Sequence, residues 1–224
     1  MKKENYHSRR KEQKSLKQLL DIAQEIRHYF SIKDESREKT LQLCREVIRY
    51  SANAIHTVHR QNMTEAKKLL NSARKVLSEI NHIQGKHPDF LYTGFVHDAQ
   101  KEFAEGNITF ALVAGEPLPE PEALGVTYPA YLNGMGETIG ELRRYLLDSL
   151  RRDDLTRCEE LLAKMDEIYG VLVTMDFPEA ITYGLRRTTD VARGVLEKTR
   201  ADLTLILRQR QLEEKLAAFT KKTG

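Results

Sequence analysis

Apolar and polar positions along this chain recur mostly with the 3.6-residue period of an α-helix. Over residues 11 to 30, Leu16, Leu19, Leu20, Ile22, Ala23, Ile26 and Phe30 form one apolar face and predict a first helix. "SIKDESREKT", residues 31 to 40, breaks that pattern and offers Asp34 and Ser36 as caps for a second, long helix reaching Arg60. "TEAKKLLNSARKVLSEINH" predicts a third, after which Gly85 and Pro88 predict a turn. A fourth runs from Phe90 to Val113 and ends in "AGEPLPEPEALGVT", a Pro/Gly-rich loop too short to link domains. Helices over residues 129 to 150 and 155 to 173, the latter capped by Asp153 or Asp154, precede "MDFPEAITYG" and a last long helix from Thr188 into the tail. The apolar runs near Ile108 and Val171 resemble strands in isolation, but they extend helical patterns already under way.

The pattern therefore predicts an all-α bundle of about seven helices, and composition agrees. The chain has 224 residues, no Trp, only six Pro and a charged fraction of 31%, which disfavours a β-rich fold. That length buries a sizeable core without a split, so residues 11–224 are read as one domain and residues 1–10 as a basic arm free to be disordered. A formal charge of +3 is too small to demand a polyanionic partner, so the placement of the charges decides. Cys44 and Cys158 show neither metal-ligand nor C-x-x-C spacing and read as buried, reduced thiols. With no apolar run long enough to cross a bilayer and no signal peptide, a cytoplasmic protein is expected.

Two acidic pairs stand out. On the helix that carries "KEFAEGNITF", residues 101 to 110, Asp98, Glu102 and Glu105 share a helical stripe about 60° wide beside an apolar face of Tyr92, Phe95, Ala99, Phe103 and Phe110. In "YLNGMGETIGELRRYLLDSL", Glu137 and Glu141 lie one turn apart, next to a face of Leu132, Met135, Ile139, Leu142, Leu146 and Leu150. Gly134, Gly136 and Gly140 fall on the other faces, each weakening a helix by roughly 1 kcal/mol, so a close approach or a bound group is expected there. The bland reading is surface decoration, Lys101 pairing with Glu105 and Arg144 with Glu141. If the two pairs instead face each other, their crowded charge requires a cation, and oxygen-only ligation points to Mg²⁺ or Mn²⁺, which can activate water for displacement at phosphate.

A basic stripe accompanies them. Arg45, Arg49, His56 and Arg60 lie along one side of the second helix over about 22 Å, long enough to follow several phosphates of a nucleic acid. A solvated charged face has the same periodicity, and no aromatic is interleaved to stack bases, so backbone gripping is the function it suits. His56 and His59 have no third ligand in range and read as a phosphate contact and a packing residue.

Three segments together resemble the translin family, and more closely its catalytic branch, translin-associated factor X. These are "SREKTLQLCREVIRYSANAIHTVHR", "KEFAEG" and "YLNGMGETIGEL", within a likeness covering about residues 10 to 210. The resemblance implies a metal-dependent endoribonuclease that acts on RNA inside a closed homo-oligomer, an octamer. Position by position, Glu102, Glu105 and Glu141 match acidic residues of that branch, while Glu137 stands where it usually has Asp, an arm longer by one methylene. The short loop "GEPLPEPEALG" fits a compact prokaryotic-type homologue.

The resulting expectation is an RNA-binding endoribonuclease with Glu102, Glu105, Glu137 and Glu141 as catalytic Mg²⁺ ligands and Arg45, Arg49, His56 and Arg60 on the RNA. The alternative is a non-catalytic binder of single-stranded RNA or DNA with the same fold. A di-iron carboxylate bundle would need two Glu-x-x-His motifs; "ENYH", "EIRH" and "EINH", residues 4 to 7, 25 to 28 and 79 to 82, have that spacing, but none of them contains either acidic pair.

Overall fold

A computed structural model describes residues 2–86 and 94–223, with side chains for 17–85 and 94–221. All regular structure among the described residues is helical: α1 (Lys2–His59), α2 (Met63–Lys86), α3 (Gly94–Ala114), α4 (Pro121–Leu124), α5 (Tyr128–Arg151), α6 (Cys158–Val173), α7 (Glu179–Thr182) and α8 (Leu185–Thr223). The fold class is all-α, as the periodicity predicts.

Boundaries differ in places: α6 begins at Cys158 with Arg157, not Asp153 or Asp154, as its N-cap, and the largest difference lies in α1. The expected break at residues 31 to 40 is absent, and the first two predicted helices are the single helix α1. The segment contains polar residues but neither Gly nor Pro, so nothing in it forbids helical backbone. Asp34 and Ser36, expected as caps, are interior residues of α1, and the hydroxyls of Ser36 and Thr40 each donate one turn back, to Ile32 O at 2.9 Å and Ser36 O at 2.7 Å. Residues 2–10, expected as an arm, have helical backbone in α1, and their side chains lie outside the described residues. The turn expected at Gly85 and Pro88 falls partly on residues 87–93, outside the described residues, as do Phe90 and Tyr92.

By its internal contacts the chain divides into residues 1–42 and 43–224. In the first part, the predicted apolar face of Leu19, Leu20, Ile22, Ile26 and Phe30 is exposed. In the second, α5 packs against α3, α6 and α8, α2 packs on α3, and α6 packs on α8. Phe103 and Ile108 of α3, Ile139, Leu142 and Leu146 of α5, Leu161 and Met165 of α6 and Leu203 of α8 are fully buried between them, each stabilising by roughly 1.5–3 kcal/mol relative to exposure.

The glycines of α5 explain how closely α3 and α5 approach. A Cβ on Gly134 would stand 2.6 Å from Lys101 O and 2.9 Å from Glu105 N, and one on Gly136 would stand 2.5 Å from Thr188 Cγ2 on α8. Only glycine admits neighbours so near, so the intrinsic cost of these residues in a helix is offset by packing. The predicted Pro/Gly-rich loop contains the single turn α4, opened by Pro121 and closed by Gly125 at φ 71°. It is pinned to α3 by Gln100 Oε1, which accepts from Thr127 N and Oγ1 at 3.1 and 3.0 Å.

Candidate metal centre

The close α3–α5 contact carries the acidic residues of both helices to one place. One carboxylate oxygen from each of Glu102, Glu105 and Glu137 lies within 4.8 Å of the other two. Glu105 is buried and the other two are half-buried. At that separation two ionised carboxylates repel by on the order of 3 kcal/mol at an effective dielectric near 20. Burial, followed by the charges of Glu102, Glu137 and Glu141, pushes the Glu105 carboxyl up to about 9. Burial raises Glu102 as well, against the opposing charge of Lys101. The cluster therefore needs either protons or a cation.

Lys101 supplies part of that cation. Its Nζ donates to Glu137 Oε1 at 2.8 Å and lies 4.0 Å from Glu102 Oε1. Burial opposes charge on the amine, but the hydrogen bond to Glu137 and the surrounding carboxylates outweigh it and raise its pKa. Spacing alone pairs Lys101 with Glu105, one turn along the same helix; the ion pair instead crosses to α5.

Glu141 has a different environment. His59 Nε2 lies 2.5 Å from its Oε2, the imidazole being buried. The hydrogen bond from His59 holds Glu141 below the usual carboxylate range against the effect of burial, with His59, Arg144 and His56 adding favourable charge. Three of the four acids expected as ligands are thus brought together, while the fourth is held by a histidine and acts on Glu102 and Glu105 through its charge.

These side chains open into a groove of about 750 Å³ whose lining also includes His97, Asp98, Gly140, Tyr183, Arg187 and Thr188. Asn133 fixes its far wall: Nδ2 donates to Thr182 O at 2.9 Å, and Oδ1 accepts from Thr188 Oγ1 at 2.8 Å. A Cβ on Gly140 would meet nothing within 4 Å, so this residue leaves the groove open. Arg45, Arg49, His56 and Arg60 are all exposed. The last turns of that stripe come within electrostatic reach of the acids, through His56 acting on Glu141.

Known proteins share this fold. An uncharacterized protein of Methanocaldococcus jannaschii is 30% identical over 191 residues, 84% of either chain. AfC3PO, an archaeal member of the C3PO/translin proteins solved in complex with duplex RNA, is 30% identical and superposes with a TM-score of 0.77 over 84% of this chain and 97% of that one. The chain belongs to the translin family. A further structure, apo-NeC3PO, has a TM-score of 0.73 at 17% identity, covers 81% of this chain and 95% of that one, and shares the fold. No family model matches the chain.

Within this translin-family fold, two pairings at the site escaped the sequence reading: His59, expected as a packing residue, bonds to Glu141, and Lys101 bonds to Glu137. That His59 needs a partner could have been found, since it lies one turn after Ile55 and three turns after Ile48, on the apolar side of its helix, where a lone polar side chain is not left unpaired. The pairing of Lys101 with Glu137 could not, because it depends on where two helices cross. The donor chemistry fits a hard divalent ion: three carboxylate oxygens, one on a buried side chain, with charge that Lys101 neutralises only in part.

Proposed function

We propose that this translin-family protein is a cytoplasmic endoribonuclease dependent on a divalent metal, of the catalytic translin-associated factor X type. Glu102, Glu105 and Glu137 would hold Mg²⁺ or Mn²⁺, and Glu141, oriented by His59, completes the four-carboxylate set. The convergence of three carboxylate oxygens within 4.8 Å, one belonging to a buried residue, carries this reading. A bound Mg²⁺ would supply Lewis-acid activation of water and stabilisation of charge at phosphate.

The chain's own residues do the remaining work. Arg45, Arg49, His56 and Arg60 bind backbone phosphates along one exposed helix side. His59 fixes the rotamer of Glu141 and keeps it ionised. Lys101 holds Glu137 in place by its 2.8 Å bond. AfC3PO was solved with duplex RNA, which supports RNA as the ligand. Exposed apolar side chains, Leu19, Leu20, Ile26 and Phe30 on α1 and Leu205, Leu212, Leu216 and Phe219 on α8, support self-association into a closed homo-oligomer, an octamer by family likeness.

The test is Glu102→Gln combined with Glu105→Gln. The double variant should lose Mg²⁺-dependent cleavage of labelled RNA while its RNA affinity stays near that of the parent. A folded double variant that no longer binds RNA makes these acids binding elements and refutes the nuclease assignment. One observation favours a second reading, a non-catalytic binder of single-stranded RNA or DNA: Lys101 already provides an internal counter-charge without any metal. Under that reading RNA stays intact with Mg²⁺ or EDTA alike.

A further inference from the structure

The groove has a second wall that the metal chemistry leaves unused. Tyr183 lies between α7 and α8 at φ 52° and ψ 51°, a left-handed conformation uncommon for a bulky residue. The turn is held there by the bond from Asn133 Nδ2 to Thr182 O. In this position the phenol ring stacks on the imidazole of His97, centroids 4.6 Å apart and planes within 16°. His97 is buried and Tyr183 is 37% exposed, so one ring face is backed, and both residues line the groove that also contains Glu102, Glu105 and Glu137. Arg187, one turn further along α8, lines the same groove, is exposed, and makes no ion pair among the described residues.

A backed aromatic face with a guanidinium nearby suits one nucleotide, the base on the ring and a phosphate on the cation. We propose that Tyr183, supported by His97, stacks one unpaired nucleobase, and that Arg187 takes the adjoining phosphate, so that the strand crosses the groove toward the Glu102, Glu105 and Glu137 cluster. The base must be unpaired, because bases inside a duplex have both faces covered by their neighbours. This subsite rests on the nucleic-acid reading given above.

The chain has no Trp, so Tyr183→Trp introduces a single indole reporter at the platform. Its emission should be quenched by a single-stranded RNA and not by an abasic oligonucleotide of equal length, while anisotropy of labelled RNA follows binding independently. In the parent background, Tyr183→Leu should weaken affinity at least about fivefold and Tyr183→Phe should leave it unchanged, both checked for folding by circular dichroism. Binding by anisotropy without quenching, or equal affinity of the Leu and Phe variants, overturns the stacking subsite and leaves the nucleic-acid reading standing. No RNA binding by the parent protein overturns both.

Discussion

Replacing Gly134 by Ala tests whether the α3–α5 approach builds the site. The added Cβ would meet Lys101 O at 2.6 Å, Glu105 N at 2.9 Å and Ala104 Cβ at 3.0 Å. Two of these are backbone atoms, which cannot rotate away as a side-chain tip can. Non-bonded heavy atoms settle near 3.5–4.0 Å, so α3 must retreat by roughly 0.5–1 Å. Overpacking of that kind costs about 1–3 kcal/mol, and the better helix propensity of Ala returns about 1 kcal/mol. The expected net loss of about 0–2 kcal/mol lowers the melting temperature by up to roughly 8 °C for a chain of this size. Gly140→Ala is the internal control: it meets nothing within 4 Å, so it should melt higher by roughly 2–4 °C through propensity alone. Because the retreating segment carries Lys101, Glu102 and Glu105, Gly134→Ala should also reduce the thermal stabilisation given by Mg²⁺. Melting is followed by circular dichroism at fixed protein concentration, with EDTA and with Mg²⁺. A Gly134→Ala protein that gains as much stability as Gly140→Ala refutes the claim that this contact needs glycine.

Three further outcomes follow from the same geometry. Lys101→Met removes the internal cation beside Glu137, so the variant should melt below the parent in EDTA and gain more from Mg²⁺, measured by differential scanning fluorimetry; an equal gain in both proteins removes Lys101 from the charge balance. Glu105 has a folded pKa of about 9 against an ordinary 4.5, so the folded state holds the proton more tightly, and its contribution to stability, complete below about 4.5, is lost as pH rises to about 9. In EDTA, the stability of Glu105→Gln relative to the parent should therefore improve steadily from about pH 6 to about pH 9 in urea titrations, and a pH-independent difference contradicts it. Reversing Arg45 and Arg49 to Glu should weaken RNA binding and make the plot of log K against log salt shallower by about 1.4 for a single strand, and an unchanged slope takes these residues off the phosphates.

Helical periodicity located most of the fold because each long helix after α1 buries one face, and buried faces repeat at 3.6 residues. The face of Met135, Ile139, Leu142 and Leu146 predicted for α5 is the buried one. The same rule failed at residues 31 to 40 for a physical reason: loss of an apolar stripe signals loss of burial, not loss of helix. Polar residues whose hydroxyls bond back to carbonyls one turn earlier continue a helix when no Gly or Pro intervenes. The left-handed Tyr183 was equally hidden, since turn chemistry favours Gly there and Gly184 follows it at φ 83°.

For the site, angle and partner are separate questions. Rotation per residue places Glu102 with Glu105, and Glu137 with Glu141, on common stripes, but it contains no information about which stripe faces which. That is decided by the crossing of α3 and α5, and the sequence does mark the crossing, through glycines whose cost in a helix has to be offset. Gly134 has the α3 backbone against it and Gly136 has Thr188 of α8, while Asn133, just before them, holds the turn that leads into α8. One short segment, residues 133 to 141, therefore positions three walls of the groove and contributes Glu137 and Glu141 to it. Its glycines and its acids belong to one device, in which the small residues bring α3 close enough for the charges to meet. The charges then oppose that approach unless Lys101, a proton or a metal ion compensates them, so metal affinity and helix packing at this site are two aspects of one free-energy balance.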